Sequence, residues 1–192
     1  MTVVILAGGQ SRRMGRDKLQ LTLGGETLLA RTLRRYGEVF PRVLVSVAGP
    51  EKFPELGGKR VFDLWPGAGP LAGLQAGLLA SGEDVFLTGA DMPFSSPEKA
   101  LVLSSLCGEA DACVLTDCAG RWEPLFGFYR LSVLPRAEAL LSSGKRSMGA
   151  LLAFVRLREV SLPELGEGPD SPLLQNLNVP EDYEKLRLEL GS

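Results

Sequence analysis

Histidine is absent from all 192 residues of the chain. That absence removes Ser-His-Asp and Cys-His nucleophiles together with every imidazole metal site. Cysteine is scarce as well. Cys107, Cys113 and Cys118 are an odd number with no C-x-x-C pair, so neither a disulfide framework nor a zinc site is expected. They read as small reduced residues in or near the core. No apolar run approaches the length of a membrane span, and Met1-Thr2 leads directly into a strand-like run without a basic leader, which predicts a cytoplasmic protein with no membrane part. A formal net charge of −2 speaks against a nucleic-acid partner. What remains for chemistry is carboxylates, cations and backbone groups. Phosphoryl or nucleotidyl transfer suits that inventory, because positioning and charge neutralisation by Mg²⁺ do most of the work.

The cations that are present gather near the start of the chain. Leu6 to Lys18 read LAGGQSRRMGRDK, straight after the strand-like run Thr2–Leu6. Glycines let backbone N–H groups approach an anion closely, and arginines with a lysine supply the charge that triphosphate oxygens require. Two better-known phosphate loops fail on spacing: neither G-x-x-x-x-G-K-S/T nor G-x-G-x-x-G is present. The alternative is a Gly-rich turn followed by a solvated basic surface. Read from its residues, the loop indicates a nucleotide without indicating which one.

A hydrophobic fraction of 45% is ample for the core of one domain spanning 1–192. Apolar, β-rich runs at Thr2–Leu6, Arg42–Val47, Arg60–Asp63, Asp84–Thr88 and Ala112–Thr116 alternate with helical patterns at Thr27–Tyr36, Leu71–Ala80 and Pro97–Leu106. Short strands with nearly continuous apolar character belong in a parallel sheet covered on both faces, so the fold class predicted is α/β, a three-layer α/β/α sandwich with a mostly parallel, Rossmann-like sheet. Farther on, Trp122–Arg130 and Val155–Ser161 read as strands, and Val133–Ser142 and Met148–Phe154 as helices. Glu164–Ser171 reads as a mobile Gly/Pro/acid loop, and Val179-Pro180-Glu181-Asp182 as the start of a last helix. Trp122, Phe126, Phe128 and Tyr129 read as core rather than as a stacking platform.

Four further motifs follow the loop in order: Gly69-Pro70-Leu71-Ala72-Gly73, Asp91-Met92-Pro93-Phe94, Glu123-Pro124-Leu125-Phe126-Gly127, and the segment Asn176 to Asp182, reading NLNVPED. Together with LAGG-x-S-x-RMG-x-DK they resemble the molybdenum cofactor guanylyltransferases, over nearly the whole chain from Val3 to about Leu186. The first motif alone would indicate only the wider nucleotidyltransferase superfamily. The resemblance implies transfer of GMP from GTP to the terminal phosphate of molybdopterin, with Mg²⁺ as cofactor. It also implies a nucleotide-binding half over 1–117 and a pterin-substrate half over 118–192. Other cofactor-biosynthesis proteins and molybdoenzyme apoproteins are the further partners it suggests.

Carried over residue by residue, the resemblance places Leu6, Ala7, Gly8 and Gly9 beside the guanine and phosphates, with Arg13 and Lys18 on the triphosphate. Arg12 and Arg16 read equally well as solvated. Asp91 is the implied Mg²⁺ ligand and, with Arg13 and Lys18, the catalytic set; the spacing alone would allow a turn-forming Asp. Asp63 corresponds to an acidic residue near the nucleotide, and Pro70, Leu71 and Gly73 to the helix opening beside it. Asn176 and Asn178 are the only asparagines in the chain, and in an extended segment both would face one side. They could be turn and N-cap residues; the resemblance instead puts them, with Arg146, on the pterin side.

The chain departs from the family pattern twice. Ala90 stands where Cys is common before the metal-binding Asp, and Ser46-Val47-Ala48-Gly49 lacks an asparagine often found at the exit of the second strand. Three rival readings remain: a cytidylyltransferase on the same pterin, a nucleotidyltransferase acting on a sugar or alcohol phosphate, and a noncatalytic nucleotide or cofactor carrier.

Overall fold

The computed structural model of the chain describes residues 1–8, 18–177 and 183, with only the backbone of Lys18 and Leu23. In chain order the main elements are β1 (Thr2–Leu6), a small hairpin of β2 (Thr22–Leu23) and β3 (Glu26–Thr27), α1 (Leu28–Val39), β4 (Val43–Val47), β5 (Arg60–Phe62) and α2 (Pro70–Ser81). There follow β6 (Val85–Gly89), α3 (Pro97–Ser105), β7 (Ala112–Thr116), β8 (Trp122–Tyr129), α4 (Leu134–Ser142), α5 (Met148–Leu152) and β9 (Leu157–Ser161). Local chemistry sets the helix starts. Thr27 and Ser96 accept the amides of Ala30 and Lys99 as N-caps of α1 and α3, and Pro70 and Pro97 occupy first turns, where a missing N–H costs nothing.

Seven strands form one sheet in the order β5-β4-β1-β6-β8-β7-β9, in which β8 runs antiparallel to its neighbours β6 and β7 and the other pairings are parallel. Alternation along β1 sorts the two faces. Val3 and Ile5 join a cluster with Tyr36, Phe40 and Leu103 under α1 and α3, while Val4 joins Leu71, Leu74 and Leu78 of α2 on the opposite face, with Leu140 and Leu151 of α4 and α5. Burial on both faces is why the strands carry so little polar alternation. The α/β/α sandwich expected from the sequence is the fold observed.

Several boundaries differ from expectation. Helix α5 stops at Leu152, and Phe154 is 56% exposed. The 164–171 segment is tied down: Lys99 pairs with Glu167 at 2.8 Å, and Glu164 accepts from the amide and hydroxyl of Ser161. Trp122 is 38% exposed at the start of β8, whereas Phe126, Phe128 and Tyr129 are core as expected. The helix expected from Val179 lies outside the described residues except for Tyr183. Among the described residues no helix is long and apolar enough to cross a membrane.

The chain runs from β1 outward to β4 and β5, then α2 carries it back to β6 on the other side of β1. Neighbouring strands β1 and β6 therefore send their connections in opposite directions. A crevice opens at such a point beyond the carboxyl ends of the strands, which is where open α/β sheets hold their ligands.

Candidate active site

Leu6 is paired with Ser46 on one side and Gly89 on the other, so a single row of residues crosses the carboxyl edges of β4, β1 and β6. All three line a cavity of about 450 Å³, within the usual range for small-ligand sites. Gly8, just past β1, and Asp63, just past β5, line it as well, and Gly69, Pro70 and Gly73 supply a wall from the start of α2. Gly69 sits at φ 70°, ψ −153°, a backbone conformation that only glycine adopts readily, and this turn aims the helix N-terminus at the cavity. Gly73 and Gly77, one helical turn apart, let α2 press onto the sheet. A Cβ at Gly73 would lie 2.7 Å from Ser46 Oγ, and one at Gly77 would lie 2.5 Å from Val4 Cγ2.

Two carboxylates, Asp63 and Asp91, line the cavity from strands on opposite sides of β1. Asp63 is held by its amide, which donates to the Val47 carbonyl at 3.3 Å, and by the Ser46 hydroxyl, which donates to Oδ1 at 2.8 Å. Burial pushes the Asp63 carboxyl above its ordinary value, and the Ser46 hydrogen bond works against that rise. Asp91 follows β6, three strand spacings away, or about 14 Å. Its carbonyl accepts the amide of Leu177 at 3.0 Å. Gly89 leaves the space that Asp91 occupies, since a Cβ there would come within 2.5 Å of Oδ1.

Glu123 is a third carboxylate in this region that the sequence reading did not single out. Burial raises its pKa above the usual carboxylate value; hydrogen bonds from the Leu125 amide and the Asn176 side chain lower it, and the Asp91 charge raises it further. The Glu123-Pro124 motif was the available signal. Its position depends on an irregularity in β8: Val114 pairs with Gly127 but Leu115 pairs with Glu123, leaving Pro124, Leu125 and Phe126 without partners on β7. The buried Tyr129 hydroxyl pins this bulge by donating to the Pro124 carbonyl at 2.8 Å. Leu125 is thereby delivered to the cavity wall.

The structure thus brings Leu6, Gly8, Asp63, Pro70, Gly73 and Asp91 to one cavity. Ala7 is adjacent in sequence, but its side chain belongs to the core beneath α1. Leu71 departs from the expectation: it is fully buried on the sheet side of α2, packed with Val4 and Leu74, and presents no surface to a ligand. Arg146 Nη1 donates to the carbonyl of Gly67, a cavity-lining residue, at 3.3 Å. Asn176 lies next to Glu123, and Leu177 beyond it is tied to Asp91. Gly9, Arg13 and Asn178, with Arg12 and Arg16, lie outside the described residues, as does the Lys18 side chain. Leu19 also lines this cavity.

Comparison with known proteins decides the family. The model of the MobA-like NTP transferase domain matches residues 3–160. The chain belongs to this family. It is accordingly a nucleotidyltransferase. A probable molybdenum cofactor guanylyltransferase from Carboxydothermus hydrogenoformans is 34% identical over 188 residues, covering 97% of this chain and 94% of that protein. Another from Opitutus terrae is 36% identical over 192 residues, covering 95% and 93%. Among solved structures, molybdopterin-guanine dinucleotide biosynthesis protein A from Archaeoglobus fulgidus superposes with a TM-score of 0.85 over 98% of both chains, at 24% identity, and so speaks for the fold. The seven-stranded sheet with its one antiparallel strand is thus a MobA-like architecture, and the cavity lies where this fold opens.

Proposed function

We propose that the chain transfers GMP from GTP to the terminal phosphate of molybdopterin, releasing pyrophosphate and forming the guanine dinucleotide form of the cofactor. The observation that carries this reading is the separation of Asp63 and Asp91 along one cavity. An ionised carboxylate repels phosphate, so Asp63 suits the base end, where guanine offers two N–H donors on its pairing edge. Asp91, which has the oxygens of Glu123 and Asn176 near it to share a cation, suits the phosphate end. The 34–36% identity to proteins named as guanylyltransferases supports the same assignment.

The donors around Asp91 fit a hard divalent cation. The Asp91 carboxylate, backed by the space at Gly89, and the nearby oxygens of Glu123 and Asn176 are oxygen ligands of the kind Mg²⁺ selects. Asp91 would hold the ion, and Mg²⁺ bound there would neutralise charge on the phosphates. Arg13 and Lys18 would do the same from the loop. An oxygen of the acceptor phosphate attacks the α-phosphorus of GTP; the new P–O bond forms as the bond to the β-phosphate bridging oxygen breaks, and that electron pair leaves with pyrophosphate. A phosphate monoester is already anionic near neutral pH, so no protein general base is required, consistent with a chain without histidine. The start of α2 and Arg146 would orient the nucleotide, and the 118–192 half, through Asn176 and Asn178, the pterin. This reading places the enzyme in the cytoplasm.

The test is pyrophosphate release by purified protein with Mg²⁺ and molybdenum-loaded molybdopterin, comparing GTP, CTP, ATP and UTP. Release that requires both GTP and the pterin is expected. Release with CTP alone would reassign the base, and release without the pterin would reassign the acceptor.

A further inference from the structure

Ser46 is 1% exposed at the carboxyl end of β4, and its hydroxyl is spent on the Asp63 carboxylate. The arrangement is specific. Oδ1 takes the Ser46 hydrogen bond, while Oδ2 is the oxygen nearer Gly8, 3.7 Å from where a Cβ on that glycine would stand. Both Gly8 and Asp63 face the cavity. One carboxylate oxygen is therefore anchored to the sheet, and the other lies on the side of Gly8, itself a cavity-lining residue.

Two neighbours leave Ser46 little freedom. The backbone of β4 is paired on both sides, Ser46 with Leu6 of β1 and with Val61 of β5. Helix α2 closes over the hydroxyl at Gly73, where any side chain would collide with it. Asp63 directly follows β5, its amide still donating to the Val47 carbonyl of β4, and the Ser46 hydroxyl is the side-chain hydrogen bond that fixes how its carboxylate turns.

We propose that Ser46 is a positioning residue for base selection: its hydroxyl orients the Asp63 carboxylate so that the free oxygen meets the N–H donors of the guanine edge. The inference rests on the GTP reading above and extends it to a residue at the strand exit where the family often carries asparagine. In this role Ser46 acts through Asp63, because its hydroxyl hydrogen is already donated to that carboxylate. A hydrogen bond to a charged group that is correctly aimed is worth roughly ten- to a hundredfold in affinity, and loss of the anchor should forfeit about tenfold.

Calorimetric titration of GTP and of ITP, which lacks the 2-amino donor, into wild type, Ser46→Ala, Asp63→Asn and the double variant separates the possibilities without needing the pterin. Ser46→Ala should bind GTP about tenfold more weakly, lose much of the preference for GTP over ITP, and add little further loss in the Asp63→Asn background. It should also shift the acid side of the GTP-binding profile toward higher pH, because removing the hydroxyl removes a contact that favours the ionised carboxylate; a merely structural role would not move that profile. Thermal unfolding of each variant checks that the fold persists. Full affinity and selectivity in Ser46→Ala, or losses that add independently to those of Asp63→Asn, would overturn the positioning role. Wild-type protein that binds CTP but not GTP would overturn the guanylyl reading, and this proposal with it.

Discussion

The amide of Leu177 donates to the carbonyl of Asp91 across 3.0 Å, joining two segments 86 positions apart at the Asp91 side of the cavity. Through that bond the asparagine-bearing segment approaches the exit of β6, where Glu123 also faces Asn176. Three parts of the chain that carry separate motifs thus converge on one small volume.

Asp91→Asn keeps the shape of this side chain and removes its charge. Turnover should fall by about a hundredfold or more under the proposed mechanism, in which Asp91 holds the cation that meets charge developing at the reacting phosphates. Chelation with EDTA should abolish wild-type pyrophosphate release and leave the residual rate of the variant almost unaffected. A variant that remained as active and as EDTA-sensitive as wild type would remove Asp91 from the metal site.

Gly73→Ala tests the close approach of α2. Its methyl would meet Leu6 and the Ser46 hydroxyl, both held by the paired centre of the sheet, so the helix must move outward. The expected cost is about 1–3 kcal/mol in urea unfolding, accompanied by a higher KM for GTP because the same shift deforms the cavity wall. Unchanged stability would show that α2 yields more easily than the packing implies.

Part of the acid sensitivity should lie away from the site, at Asp111. Its carboxylate takes a two-point contact from Arg156 at 3.0 Å on each oxygen, and the hydrogen bonds hold its pKa down at about 2. A folded-state pKa below the ordinary value of 3.8 means the unfolded chain binds the proton more readily. The stabilisation is present above the unfolded value and is lost as pH falls from about 4 toward 2. Asp111→Asn should lower the urea midpoint at pH 6, with the gap to wild type closing by pH 2; a gap independent of pH would assign the effect to packing.

The parts of the fold set by local pattern were legible before any coordinates. β1 and β7 run over the residues expected, and the helix starts coincide with Thr27, Ser96 and the prolines, since capping and apolar periodicity act over a few neighbours. Placing β8 antiparallel between β6 and β7 was not legible, because strand order is settled by long-range pairing that leaves no mark within the strand itself. The bulge at Pro124–Phe126 is equally hidden, and with it the turn of Glu123 toward Asp91. Leu71 illustrates the limit of motif reading. It sits in the middle of the Gly69–Gly73 motif, yet helical rotation points it into the core while Pro70 and Gly73 face the cavity.

What the amino-acid order determined by itself was the inventory: no imidazole, a glycine- and arginine-rich loop after the first strand, and carboxylates at strand exits. These follow from composition and from contacts between near neighbours. Only the tertiary structure decided which carboxylates share a cavity, which oxygen of Asp63 takes the Ser46 hydrogen bond, and which side of α2 lines the cavity. Those outcomes depend on how strands cross and how closely a helix can settle on them, and both are properties of residues far apart in the chain.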